Sequence, residues 1–321
     1  MKIIVNFSKL FTLLLCLCTS LVHAGNLLLT EHPLAGKIWN MNSHAFIDES
    51  ALVAEINSVD VLLLGETHDN SMHHDIQKKL FESYIKSGDS AALKPVLMME
   101  QLDASTQLLL DQALAGDNRD DILDRTTKLI KFTDWMSYRP LLAIAVDNKL
   151  PIIAANVSNR DLQPIIWNGF TAYDQNELKR LMIEEVWSEN RQKYLVTHMG
   201  GAHCGQLRDE LRTSLARSQR LRDALMVDSV IHNISRGIVA IIGSSHARRD
   251  IGLPLYFAAR APSARIFSIG FIEVSPTITD PKSYEADSAT GEVPFDAVWF
   301  TPRSERSDPC ANFGKSGENK P

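Results

Sequence analysis

Residues 59–68 read VDVLLLGETH, and residues 237–246 read GIVAIIGSSH. Each is a continuous apolar run that closes on a glycine and reaches a histidine three residues later. Continuous apolar runs, unlike alternating ones, suit strands buried on both faces, as in a parallel sheet. Two more runs share the character. Residues 95–99 (PVLMM) lead into Glu100 and Gln101, and residues 151–155 (PIIAA) lead into Asn156. Residues 264–270 (ARIFSIG) and 295–300 (FDAVWF) are later strand candidates, the last expected at an edge.

Helical stretches fill the gaps. A helix capped by Asp69, Asn70 or Ser71 runs through Lys86 and stops at Gly88. Residues 105–114 carry one apolar face, and Pro140 fits the first turn of a helix ending at Asn148. Asp174 and Glu177 form a capping box that opens a helix through Trp187. Residues 207–235 make one long helix or two. The alternation predicts an α/β fold, a mainly parallel sheet flanked by helices. Residues 158–221 far exceed what a strand crossover needs, so they are read as a small helical insertion domain. The main domain is then 25–157 and 222–302, and the polar segment 303–321 is expected to be a disordered tail.

The first 24 residues read as a signal peptide. Lys2 and Lys9 precede an apolar stretch from Leu10 to Val22, and Val22-His23-Ala24 forms a small-residue cleavage site. The apolar stretch is shorter than the roughly 20 residues a membrane span requires. Cys16 and Cys18 each follow a leucine, which does not suit a lipobox. The chain is therefore expected to be exported, to the periplasm or the cell envelope, with no transmembrane segment beyond the leader. Loss of Lys2 and Lys9 takes the formal charge from -6 to -8. An acidic chain argues against a nucleic-acid partner. No zinc-finger spacing, Walker loop or dinucleotide fingerprint is present. Cys204 and Cys310 remain after cleavage, and an oxidising compartment permits them to pair.

In open α/β sheets ligands bind beyond the carboxyl ends of the strands. Glu66, His68, Glu100 and His246 all fall there, which marks one candidate cleft. A carboxylate closing an apolar strand, as Glu100 does, needs solvent or a cationic partner. Two readings stay open. The four residues suit general acid–base work in a hydrolase, and Glu66, His68 and His246 also suit a divalent metal. Ser244 and Ser245 adjoin His246, but the segment does not match the nucleophile-elbow pattern G-x-S-x-G. Arg248, Arg249 and Asp250 follow, able to hold an anionic group or to face solvent. The second constellation lies in the insertion, where Tyr194, His198, Met199, His203 and Cys204 are interleaved with glycines. Haem iron accepts Tyr, His, Met or Cys as axial ligand, so Tyr194, His198 and His203 are candidate haem ligands. A plain helix–helix turn is the competing reading. His73 and His74 read as surface residues, and Trp135, Tyr138, Trp167 and Trp187 as core or domain-interface aromatics.

Taken in order, GETH (65–68), MEQ (99–101), AHCG (202–205), SQRLRDALM (218–226), GSSHARRDIGLP (243–254) and FDAVWFTP (295–302) resemble the ChaN-like haem-binding uptake family. That family shares a superfamily with Tiki proteins, TraB-like proteins and erythromycin esterases. The resemblance spans about Trp39 to Pro302. It implies a parallel sheet with a small helical domain, bacterial export, haem binding linked to iron uptake, and homodimers able to sandwich haem. It places Glu66, His68, Glu100 and His246 at the superfamily's cleft positions, associated with metal-dependent proteolysis in Tiki relatives and with hydrolysis in the esterases. Some members are lipoproteins, so a place at the membrane periphery is part of the expectation.

Overall fold

The computed structural model describes residues 26–87, 94–131, 135–202 and 206–307. The expected signal peptide, His203, Cys204 and Cys310 lie outside the described residues. The strands are β1 (Leu27–Leu28), β2 (Ile38–Asn40), β3 (Ala45–Ile47), β4 (Val61–Glu66), β5 (Val96–Asp103), β6 (Ile152–Asn156), β7 (Ile238–Gly243), β8 (Ile266–Glu273), β9 (Ala297–Thr301) and β10 (Arg303–Ser304). Eight of them form one sheet in the order β3-β2-β9-β8-β4-β7-β5-β6. From β9 to β6 every neighbour is parallel. The hairpin β2–β3 adds to β9 antiparallel. The fold is α/β, as the buried apolar runs predict.

The run 295–300 does not lie at an edge. Its strand, β9, sits between β8 and β2. The hairpin that covers it uses strands of only three residues, too short to show any period in sequence.

Alternation along β4 divides the core. Leu62 and Leu64 face one cluster, with Ile76, Leu80 and Phe81 of the helix Ser71–Ser87. Val61 and Leu63 face the other, with Leu221, Ala224, Met226 and Val227 of the helix Asp209–Val230. Each fully buried aliphatic side chain contributes roughly 1.5–3 kcal/mol, so the central strands hold the sheet ends in place. Glu66 prolongs the Leu62/Leu64 face. Gly65 prolongs the other, where a β-carbon would lie 2.7 Å from Ala247 Cβ and 3.1 Å from Ser244 Cα. Only glycine lets the segment after β7 pack so closely on β4.

Residues 158–221 contain the helices Asn159–Asn168, Gln175–Arg180 and Glu189–Ala202 and the first half of Asp209–Val230. Asp174 caps the second of these, accepting from the amides of Asn176 and Glu177. That helix ends at Arg180, short of Trp187, because Met182 takes a left-handed conformation (φ 60°) while Leu181 and Ile183 turn into the core. Regular structure continues past Pro302. β10 pairs with β1, and Arg306 binds Asp69 and Glu273. Among the described residues no helix is long and apolar enough to cross a membrane.

Candidate functional site

The carboxyl ends of β4, β5 and β7 lie side by side, and the four strand-end residues meet there. Glu66, the last residue of β4, is buried. Its Oε1 accepts from the Tyr138 hydroxyl (2.6 Å), from Gln101 Nε2 (2.8 Å) and from His68 Nδ1 (2.8 Å). His74 Nε2 approaches Oε2 at 3.3 Å. Burial alone would raise its pKa, but the histidines outweigh that and hold the carboxyl well below the usual carboxylate range.

Glu100 occupies the opposite face of the sheet. The register of β5 against β6 shifts between Met99 and Asp103, an irregularity of the kind that re-aims side chains near functional sites. Glu100 Oε2 accepts the Gly243 amide at 2.6 Å, and Oε1 lies 3.4 Å from His246 Nε2. Burial raises its pKa and the charges of His246 and His68 lower it, with a net fall to about 2.

His246 is buried between two carboxylates. Asp223, from the helix Asp209–Val230, makes a short contact with Nδ1, and Glu100 faces Nε2. Burial disfavours the imidazolium, yet the two carboxylates raise the pKa to about 10. Burial also pushes Asp223 up, to about 6. At neutral pH the arrangement is an ionised Asp223 facing a protonated His246. Gln219, one helical turn before Asp223, places its amide 2.8 Å from the same ring.

His68 joins the two faces. Its Nδ1 donates to Glu66, and its Nε2 stands 3.9 Å from Glu100 Oε1. Burial lowers its pKa, but Glu66 and Glu100 win and hold it above the ordinary histidine value. Its side chain is 36% exposed, so the imidazole is the member of the cluster that solvent reaches. The result is an acid–base assembly in which one accessible imidazole is backed by two ionised carboxylates.

Sequence reasoning missed the supporting residues. His73 and His74 are buried rather than at the surface. His73 Nδ1 accepts the Thr67 amide (2.9 Å), which puts the ring proton on Nε2 facing Thr301 Oγ1 (2.8 Å). Burial lowers its pKa to about 4, so it is a neutral brace for the GETH turn. Tyr138 is buried as expected, but its hydroxyl is what orients Glu66. The sequence signal for Gln219 and Asp223 was present: two polar residues four apart on a helix face that also carries Ala216, Met226 and Val227.

The second constellation is not remote from the first. The helix Glu189–Ala202 brings His198 Nε2 to 3.1 Å from Ser245 Oγ, beside His246. Tyr194 stacks on His198 with ring centroids 6.0 Å apart and donates its hydroxyl to Asp287 (2.6 Å). The Arg248 guanidinium covers the Tyr194 ring at 4.9 Å and is neutralised by a two-point pair with Asp250. Burial, helped by Arg248, holds His198 below the ordinary histidine pKa, so it is neutral at pH 7 and keeps a lone pair for a ligand. Burial and the bond to Asp287 push the Tyr194 phenol up. Trp167, expected as a core or interface aromatic, is 77% exposed on the helix Asn159–Asn168.

Among the described residues no group of three or more His, Cys, Asp and Glu side chains is arranged to hold a metal ion.

The family model for haem-binding uptake proteins of the Tiki superfamily, ChaN, matches residues 52–257. A solved structure of Campylobacter jejuni ChaN, described by its cofacial haem binding, matches with a TM-score of 0.64 at 21% identity, covering 82% of this chain and 95% of that one. An erythromycin esterase matches with a TM-score of 0.44 at 12% identity, covering 81% and 94%. A succinoglycan biosynthesis protein matches with a TM-score of 0.37 at 13% identity, covering 78% and 73%. No curated protein matches the chain.

Proposed function

The chain belongs to the haem-binding uptake family of the Tiki superfamily, ChaN, and from that premise we propose that it is an exported haem-binding protein serving bacterial haem and iron uptake. The family match over residues 52–257 carries the reading. Haem is its cargo. The chemistry of the helical region supports it: His198 is a neutral imidazole stacked on Tyr194, and both are ligand types that haem iron accepts. Each is engaged within the chain, His198 with Ser245 and Tyr194 with Asp287. Ligation through His198 Nε2 or the Tyr194 oxygen therefore exchanges one hydrogen bond for one metal bond. His203 is the third candidate, five residues beyond His198 in sequence. The reading includes a homodimer that sandwiches haem between two copies, and a periplasmic or membrane-peripheral place reached by way of the signal peptide.

Hemin titration of the mature chain, followed by the Soret band and by size, tests this. A saturable shift with one haem per chain is expected, with dimers appearing as haem is added. Tyr194→Phe, His198→Ala and His203→Ala together should abolish the shift. An absent shift in the unaltered chain overturns the function, and an unchanged shift in the triple variant overturns the ligand assignment.

A second reading rests on a separate observation, the convergence of Glu66, His68, Glu100 and His246 at the strand ends. It makes the cleft a hydrolase site in which His68 is the accessible acid–base group and the carboxylates fix its charge. A divalent ion on Glu66, His68 and His246 belongs to this reading, and metal analysis of the purified chain checks it: a stoichiometric ion lost in Glu66→Gln is expected, and an ion-free chain overturns the metal part.

A further inference from the structure

We propose that Ser245 and His198 form a nucleophile–base pair that gives the cleft an acyl-transfer activity on carboxylic esters. The proposal rests on the hydrolytic reading of the cleft and supplies the nucleophile that a cluster of glutamates and histidines lacks.

Ser245 does not sit in a G-x-S-x-G elbow, and sequence spacing therefore passes over it. The fold provides the partner from elsewhere. The helix Glu189–Ala202 carries His198 to the carboxyl end of β7, where its Nε2 lies 3.1 Å from Ser245 Oγ. That is within the reach a serine and its general base require. Both side chains are only partly buried. Tyr194, stacked on the His198 ring and tied to Asp287, fixes its orientation.

The complementary donor is on the other wall. A β-carbon on Gly243, two residues before Ser245, would lie 3.1 Å from His68 Nε2. His68, whose Nδ1 donates to Glu66 and whose Nε2 faces Glu100, is the donor assigned to meet negative charge growing on a carbonyl oxygen.

In the first step Ser245 Oγ attacks the ester carbonyl and its proton passes to His198 Nε2. The tetrahedral intermediate collapses to an acyl-Ser245, and the departing alkoxide takes the proton from His198. Water then attacks the acyl group, giving one proton to His198. Collapse releases the carboxylic acid, and Ser245 recovers its proton from His198. The balance is ester plus water to acid plus alcohol. His198 Nε2 cannot serve Ser245 and an iron at once, so the activity belongs to the haem-free chain.

The test uses haem-free mature protein, p-nitrophenyl acetate as substrate and a fluorophosphonate label mapped by peptide mass spectrometry. Label on Ser245 of the unaltered chain is expected, and this readout needs no variant to fold. Ser245→Ala should remove the label and slow turnover about 100-fold, and His198→Gln should slow labelling by a similar factor. Ser244→Ala should keep both. Turnover that persists in Ser245→Ala, or label on another residue, overturns the covalent route and leaves the hydrolytic reading standing. Absence of both turnover and label overturns the two together.

Discussion

Deleting one oxygen tests whether the cleft is held by its hydrogen bonds. In Tyr138→Phe the ring stays in the core beside His74, centroids 4.6 Å apart, and the hydroxyl loses its 2.6 Å bond to Glu66 Oε1 and a longer one, 3.3 Å, to the His68 carbonyl. No cavity of note opens. A hydrogen bond to a charged acceptor contributes about 1.5–3 kcal/mol net. Glu66 Oε1 keeps His68 and Gln101, so the carboxylate is not orphaned and the loss should fall near 2 kcal/mol, roughly the middle of that range. That corresponds to a melting temperature lower by about 4–8 °C. The pH dependence has a definite sign. Glu66 is held below its ordinary 4.5, so its ionised form stabilises the fold above that pH and the contribution is lost in acid. The variant brings the folded value up. Its deficit should therefore be complete at pH 7 and close as pH falls below 4.5. Denaturant melts of both proteins at pH 7 and in acid make the comparison. A deficit under about 0.5 kcal/mol at pH 7, or one that widens in acid, refutes the reasoning.

Asp223→Asn removes one of the two carboxylates that charge His246, so the imidazole should titrate well below its present value of about 10, read by NMR of the ring nitrogens. Because that raised value stabilises the fold fully below pH 6.5 and ceases to do so as pH rises through 10, the variant's stability deficit should shrink towards pH 10; an unmoved titration would count against the clamp. Gly65→Ala drives a methyl to 2.7 Å from Ala247 Cβ and should cost about 1–3 kcal/mol through displacement of residues 244–247, visible as a lower melting temperature and disturbed His246 resonances; an unperturbed melt would show that the close packing is slack.

The parts of the fold that sequence reveals are those whose burial is complete. β4, β7 and the first half of β5 carry unbroken apolar residues because helices cover both faces. β2 and β3 cannot be read this way, and without them β9 looks like an edge. The site divides on the same line. Glu66, His68, Glu100 and His246 are legible because polar residues directly after apolar strands must lie at the strand ends. Two of their partners are not, since Tyr138 and His74 sit on helices where a polar residue normally faces water. His74 lies in a polar first turn, SMHHD, and only the packing of that turn against Glu66 and Tyr138 buries it. Ser245 and His198 are 47 residues apart, so no local pattern links them.

The pairing of β1 with β10 brings the two ends of the described fold together. Asn26 bonds to Glu305, and Arg306 binds Asp69 in the loop directly after the GETH turn. Both ends of the described fold therefore emerge on the same rim as the cleft.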